Sequence, residues 1–266
     1  MSDFKKKLIS WLPKFGCMST GILYAGIGII ALLSFFKVRN GGADESSMMM
    51  VLNDFIVGQI LIFVMMGGTA CYVAWRVYEV IVDPYGYGNE WKGKILRTGI
   101  ALSTVADALV LIAGVRVLLG VGEIQSDGQP IEERAMTRSL LEAGDAWVVI
   151  TLGVVVLVTA VVQTLYGFTK GYQERVDEDG FGDVAKKIFH ALALCGYTAR
   201  GIILGIIGFF FLKAGVLNDA DVVVNTDKAF DFIGDNVGHV FFILAAVGTI
   251  MYGVFMIGLG WTYKLK

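Results

Sequence analysis

Two ionisable residues stand out because each interrupts a long apolar stretch: Asp107 near the middle of 98–115, and Arg200 about two helical turns into 191–212. A charge at the centre of a bilayer costs about 2.5–3.5 kcal/mol on insertion scales, so both side chains are expected to face the protein interior or water rather than lipid. Asp107 could act as an ion or proton site, or as a structural carboxylate satisfied by Arg200 or by helix hydroxyls. Arg200 could pair with Asp107, share a water-lined pocket with it, or extend to headgroup phosphates. Thr249, Tyr72 and Tyr252 are the further groups that could line such a polar site.

Other familiar chemistries find no footing. His190 and His239 fall toward opposite faces, and Cys17, Cys71 and Cys195 have no metal-type spacing, so neither a zinc site nor a bis-imidazole haem is expected. A nucleophile elbow, a phosphate loop and a paired-carboxylate arrangement are all missing from the sequence. The basic residues hug the apolar segments, which argues against nucleic-acid binding. The expectation is a non-enzymatic protein with no metal and no cofactor.

The elements that position Asp107 and Arg200 follow from composition. Of 266 residues 56% are hydrophobic and 17% charged, with a mean hydropathy of +0.67, which is too apolar for a soluble globule of this size. Six apolar stretches, 15–36, 55–75, 98–115, 146–168, 191–212 and 237–261, are each long enough to cross roughly 30 Å of hydrocarbon as a helix of about 20 residues. Short alternating strands separated by turns are not seen, so helices are expected rather than a barrel. The first stretch follows a basic run but is too long for a cleaved signal and reads as a retained anchor helix.

An internal repeat organises these stretches. Gly16, Gly21, Gly28, Gly58, Gly68, Thr69 and Tyr72 recur 180 residues later as Gly196, Gly201, Gly208, Gly238, Gly248, Thr249 and Tyr252. Before each copy lies an acidic residue followed by lysines, Asp3 with Lys6 and Lys7 and Asp183 with Lys186 and Lys187, read as a short interfacial helix. Three units follow, 1–88, 89–182 and 183–266, each a pair of membrane helices. Two-span units share one orientation, so the fold class is an all-α polytopic membrane protein, a six-helix bundle of three parallel hairpin repeats with pseudo-threefold symmetry.

Within the first helix of each unit, small residues form a stripe: Gly21, Ala25 and Gly28 match Gly201, Gly205 and Gly208, and less well Thr104, Ala108 and Leu111. Such a stripe lets another backbone approach closely, so these are helix-packing residues, and the first helices are expected to form an inner layer. In the second helices Thr249 answers to Thr159 or Thr164, depending on register. Between the two helices of each unit, Ser46–Leu52, Thr137–Leu141 and Thr226–Phe230 begin with capping residues and are half-apolar, so short outer helices are expected there.

Charge sets the orientation. Most of the 22 basic residues, among them Lys5, Lys6, Lys7, Lys14, Arg76, Lys92, Lys94, Arg97, Arg175 and Lys264, fall on the side of the two termini, which is therefore cytoplasmic. More than half of the 24 acidic residues fall opposite, among them Asp44, Glu45, Glu123, Asp127, Glu133, Asp219 and Asp227, against few bases such as Lys37 and Arg39. The acidic outer loops could simply stay hydrated and obey topology, or could attract cations or a basic partner. Lys37, Arg116 and Lys213 read as anchors at helix ends.

The motif Gly196-Tyr197-Thr198-Ala199-Arg200-Gly201, opening an apolar helix that continues through Gly208 and followed by a second helix reaching Tyr252-Gly253, resembles the uncharacterised bacterial family catalogued as domain of unknown function 1206. The resemblance extends over the whole chain and is best in the third unit; the first has Thr20 and the middle Ser103 where the motif has arginine. It implies a bacterial inner (plasma) membrane protein and supplies no activity and no catalytic residue. Lipid is one partner on this reading, with other membrane or periplasmic proteins as candidates through the acidic loops. An interaction or accessory subunit explains the smooth packing helices with fewest assumptions; the alternative is a small-solute or ion permease using the axis, with Asp107 and Arg200 in the pathway.

Overall fold

The computed structural model describes residues 3–38, 42–88, 90–119, 128–177 and 180–264. Among them the chain forms α1 (Asp3–Phe35), α2 (Glu45–Asn53), α3 (Ile56–Val82), α4 (Trp91–Leu119), α5 (Ile131–Glu142), α6 (Ala146–Phe168), α7 (Asp183–Leu217), α8 (Thr226–Asn236) and α9 (His239–Trp261), with 3₁₀ turns at Gly171–Arg175 and Ala220–Val222. Five of the helices, α1, α3, α6, α7 and α9, are long and apolar enough to cross a membrane. Beside α3 lies α4, of 29 residues. Near its start Arg97 donates to the Val80 carbonyl oxygen at the end of α3, and near its other end Arg116 meets Glu132 of α5 at 3.0 Å. It therefore runs the length of the bundle antiparallel to α3.

The basic lead-ins are not separate interfacial helices. They continue into the spans, so α1 has 33 residues and α7 has 35. The helix of α1 runs through Pro13, which removes one ladder hydrogen bond without ending the helix, and glycine there is tolerated at about 1 kcal/mol. Likewise α3 passes the expected end at Trp75 and stops at Asp83, whose left-handed backbone closes the helix while its carboxylate accepts from the Tyr87 and Gly88 amides at 2.8 Å each. The three outer segments are helical as expected: α2, α5 and α8.

Glycines fix how the long helices meet, and the contacts repeat. In the first unit Gly16 faces Tyr72 and Gly68 faces Ser19 and Phe15; in the third Gly196 faces Tyr252 and Gly248 faces Ala199 and Cys195. These are the same positions displaced by 180 residues, so the two hairpins close alike. Between units, a Cβ at Gly21 would lie 2.6 Å from the Gly253 carbonyl oxygen and 2.6 Å from Ile257, and one at Gly28 would meet Ala246 and Ile250. The equivalent Gly201 meets Ala160 and Thr164, and Gly208 meets Gly153 and Leu157. The four partners on α9 and the four on α6 keep one constant offset, so α1 packs on α9 as α7 packs on α6.

That offset aligns α6 with α9. Thr159 stands where Tyr252 does and Thr164 where Ile257 does, so neither answers to Thr249. The small-residue stripe also differs from expectation: it faces the second helix of another unit, and the first helices alternate with second helices around the bundle instead of forming an inner layer. A stripe shows that a backbone can come close, not which backbone does. Gly205 lies off the seam, with no atom within 4 Å of where its side chain would begin, whereas Ala25 packs against Gly253.

The connections gather at two ends. At one, Val176 and Tyr263 form an antiparallel bridge, reinforced by Asp177 N to Thr262 O at 2.9 Å and Lys264 N to Arg175 O at 2.8 Å. At the other, α2, α5 and α8 with their flanking loops form a cap. Arg39, Glu123 and Asp127 lie outside the described residues, as do the side chains of Lys5, Lys6, Lys7, Lys92 and Ser103.

Candidate functional site

Arg200 is placed by α7 so that its guanidinium lies between two aromatic rings, 4.0 Å from the Tyr24 centroid and 5.1 Å from that of Tyr252. Its Nε donates to Gln163 Oε1 of α6 at 3.0 Å. The rings attract the cation through their quadrupoles, worth about 2 kcal/mol when desolvated. Along its edge is a cavity of about 30 Å³, lined by Arg200, Tyr24, Tyr252, Thr249, Thr226 and Glu45 together with Ile203 and Leu204. This is room for about one or two water molecules. At its outer rim Thr226 Oγ1 donates to Glu45 at 3.2 Å, and Thr249 Oγ1 donates within its own helix to Ala245 O at 2.9 Å.

Of the five residues singled out in the sequence, Arg200, Tyr252 and Thr249 line this cavity, whereas Asp107 and Tyr72 are not among its lining residues. Asp107 is half-buried on α4 and forms no ion pair or hydrogen bond among the described residues; the cations close enough to act on it are Arg76 and Arg200. The expected direct pairing of Asp107 with Arg200 is replaced by the Gln163 and tyrosine contacts, because α7 packs on α6 and α9 rather than on α4. Tyr72 instead lies under Arg76, whose Cζ is 5.0 Å from the ring centroid. The tyrosines continue inward as a packed series: Tyr24 on Tyr252 at 5.4 Å, Tyr252 on Tyr197 at 5.3 Å, Tyr197 on Tyr166 at 5.3 Å.

A second charged group lies at the inner end. Glu79, fully buried at the end of α3, pairs with Arg175 at 2.6 Å and Arg76 at 3.6 Å and accepts from Tyr87 Oη at 3.3 Å. Arg175 also donates to Tyr87 Oη at 2.9 Å and lies 5.2 Å from the Tyr85 ring, while the Tyr85 and Tyr263 hydroxyls meet at 2.8 Å. One carboxylate therefore ties α3, the loop after it and the 3₁₀ turn together, and Tyr85 and Arg175 carry the tie on to the C-terminal segment.

The outer cap is the third group. Asp227 Oδ1 accepts the Ala43 amide at 2.6 Å, and Asn225 donates to the Gly128 carbonyl at 3.1 Å while its own oxygen caps α8 by accepting from Lys228 N at 3.1 Å. Arg134 reaches the Val223 carbonyl at 3.3 Å, and Arg138 meets Asp221 at 2.7 Å. Loops from all three units are stitched to one another. His190 is bonded to Tyr172 at 2.9 Å, and His239 rests on Phe35 with ring centroids 5.4 Å apart, so the histidines serve different ends.

Sequence reading missed Glu79, Arg76, Arg175, Tyr24 and Gln163. A usable signal was present in the repeat: Arg76 and Glu79 correspond to Met256 and Leu259, and Tyr24 corresponds to Leu204. Polar residues standing where the other copy is apolar mark the places at which the units stopped being interchangeable.

Comparisons with known proteins agree with this organisation. The model of the family described as Domain of Unknown Function (DUF1206) matches residues 15–83 and 195–263, two segments displaced by the same 180 residues and together just over half of the chain. An uncharacterised protein, YxxB, of Bacillus subtilis (strain 168) is 26% identical over 261 residues, covering 97% of this chain and 93% of its own length. No solved structure matches. The two matched segments are the α1–α3 and α7–α9 hairpins, so this chain belongs to the DUF1206 family.

Proposed function

We propose that the chain is a six-span protein of the bacterial plasma membrane, with α4 as the sixth crossing, three hairpins around a pseudo-threefold axis and both termini cytoplasmic. Its role on this reading is that of a non-enzymatic interaction or accessory subunit that presents the acidic outer cap to a membrane or extracytoplasmic partner. The observation that carries it is the glycine seams: backbone lies on backbone along α1–α9 and α6–α7, and the space around Arg200 amounts to about 30 Å³. Helices held this closely suit a rigid scaffold. The exposed acids of the cap, Glu142, Asp219 and Asp235, would face a basic partner.

Native purification in mild detergent, coupled to reconstitution of the chain alone in vesicles, tests this. The expected result is a partner whose co-purification is lost on charge reversal at Glu142 and Asp235, and vesicles that stay tight to small ions. Solute flux by the chain alone, abolished by Asp107→Asn, would contradict it and favour a permease. That second reading draws on one observation, the small cavity whose lining includes Arg200, Thr249 and, at the outer rim, Glu45.

A further inference from the structure

The cap contains carboxylates that neither Arg200 nor the glycine seams explain. Asp44 is 6% exposed, and its Oδ1 has no hydrogen-bond partner. It stands at the N-cap of α2 without a cap hydrogen bond, although the Ser47 hydroxyl and the Ser46 and Ser47 amides lie near enough to draw its carboxyl down. Asp227, 8% exposed, holds the Ala43 amide of the first unit's loop, and its other oxygen lies so close to Gly128 of the second unit's loop that a side chain there would collide with it. Glu133 of α5 is half-buried, within range of Asp44 and Glu45. Asp227 is therefore desolvated where the Ala43 and Gly128 loops meet, Asp44 is buried beside it, and Glu133 of α5 is half-buried within range of Asp44.

We propose that the cap is a proton-operated closure, held shut when Asp44, Glu133 and Asp227 are neutral and loosened when they ionise together.

The surrounding charges favour this. Facing the three acids are Glu45 of α2, Glu132 and Arg134 of α5, and Lys228 and Asp231 of α8. Lys228 is shared, 2.9 Å from Asp231 and 3.5 Å from Asp227; Arg134 is spent on the Val223 carbonyl and Arg116 on Glu132. No group of three His, Cys, Asp or Glu side chains among the described residues is arranged to hold a metal ion. Burial pushes the Asp44 carboxyl up to about 6, with Glu45 adding to it, and Asp227 up to about 6 against the pull of the Ala43 amide. Burial pushes Glu133 up to about 7, with Glu45 and Asp44 as further contributors. Because these values are raised by closure, the closed cap is fully stable below the ordinary carboxylate range and loses stability as pH rises through about 6–7.

Backbone hydrogen exchange of the full chain in nanodiscs, at about pH 5 and about pH 8 and corrected for intrinsic rates, tests the closure. Segments 42–53 and 225–236 are expected to be at least about tenfold more protected at the lower pH, while 171–177 and 260–264 at the inner end do not change. The combined variant D44N, E133Q and D227N, or D44N alone should the combination misfold, should make protection at the higher pH approach the wild-type value at the lower one. Equal protection of the wild-type cap at both pH values would overturn the proposal, as would a pH response that survives undiminished in the variants. Restoration of protection at the higher pH by Ca²⁺ or Mg²⁺ would also overturn it, by making the cluster a cation site.

Discussion

The two ends of the bundle bury carboxylates by opposite means. At the inner end Glu79 is fully buried but has Arg175 at 2.6 Å and Arg76 at 3.6 Å, so its charge is compensated within one cluster. At the outer end Asp227 has Lys228 at 3.5 Å, while Asp44 and Glu133 form no ion pair among the described residues. The difference teaches that desolvation alone does not decide what a buried acid does. With a bonded counter-charge it becomes a permanent tie between segments; without one it becomes a group whose protonation the local structure depends on.

The largest effect should come from removing the inner tie. Glu79→Gln leaves two arginines facing each other in a dry site and is expected to cost about 3–5 kcal/mol, read by denaturant unfolding in micelles. A loss below about 1 kcal/mol would mean that solvent, not Glu79, satisfies those arginines. At the outer end the same kind of substitution should act in the opposite direction. Asp44→Asn is expected to stabilise by about 2 kcal/mol near pH 8, since it removes a carboxylate held neutral only up to about 6, and to do nothing near pH 4. Destabilisation by this variant at the higher pH would erase the contrast between the ends.

Midway between them, Arg200 is held by rings and an amide instead of an anion. Arg200→Lys keeps the charge but loses the planar stacking on Tyr24 and Tyr252, and should cost about 1 kcal/mol. An unchanged stability would show the tyrosines to be bystanders. The smallest effect is expected at Gly205, where no atom lies within 4 Å of a new side chain: Gly205→Ala should gain about 0.5–1 kcal/mol. By contrast Gly201→Ala, aimed at Thr164 and the Ala160 carbonyl, should lose stability.

Much of this architecture is legible in the residues. The 180-residue repeat of glycines and Tyr72/Tyr252 returns as matching contacts in the two outer hairpins, and Ser46, Thr137 and Thr226 fall within the short outer helices. What was not legible depends on pairing across distance. Glu79 and Arg175 are 96 residues apart, and no periodicity links them. The packing stripe of Gly21 and Gly28 announced a close neighbour, but only the fold shows that the neighbour is α9. Pairing of Asp107 with Arg200, one of the arrangements open in the sequence, rested on depth alone, whereas in the fold Arg200 donates to Gln163.

The central claim is that the three hairpins cross the membrane in register, with the Glu79 end on one side and the acidic cap on the other. Single cysteines introduced into a cysteine-free background, labelled by an impermeant thiol reagent from either side of sealed vesicles, test it most directly. Positions 86, 177 and 264 should react only from the cytoplasmic side, and positions 54, 142 and 235 only from outside. Labelling of 142 from the cytoplasmic side, as five crossings would require, would contradict the account.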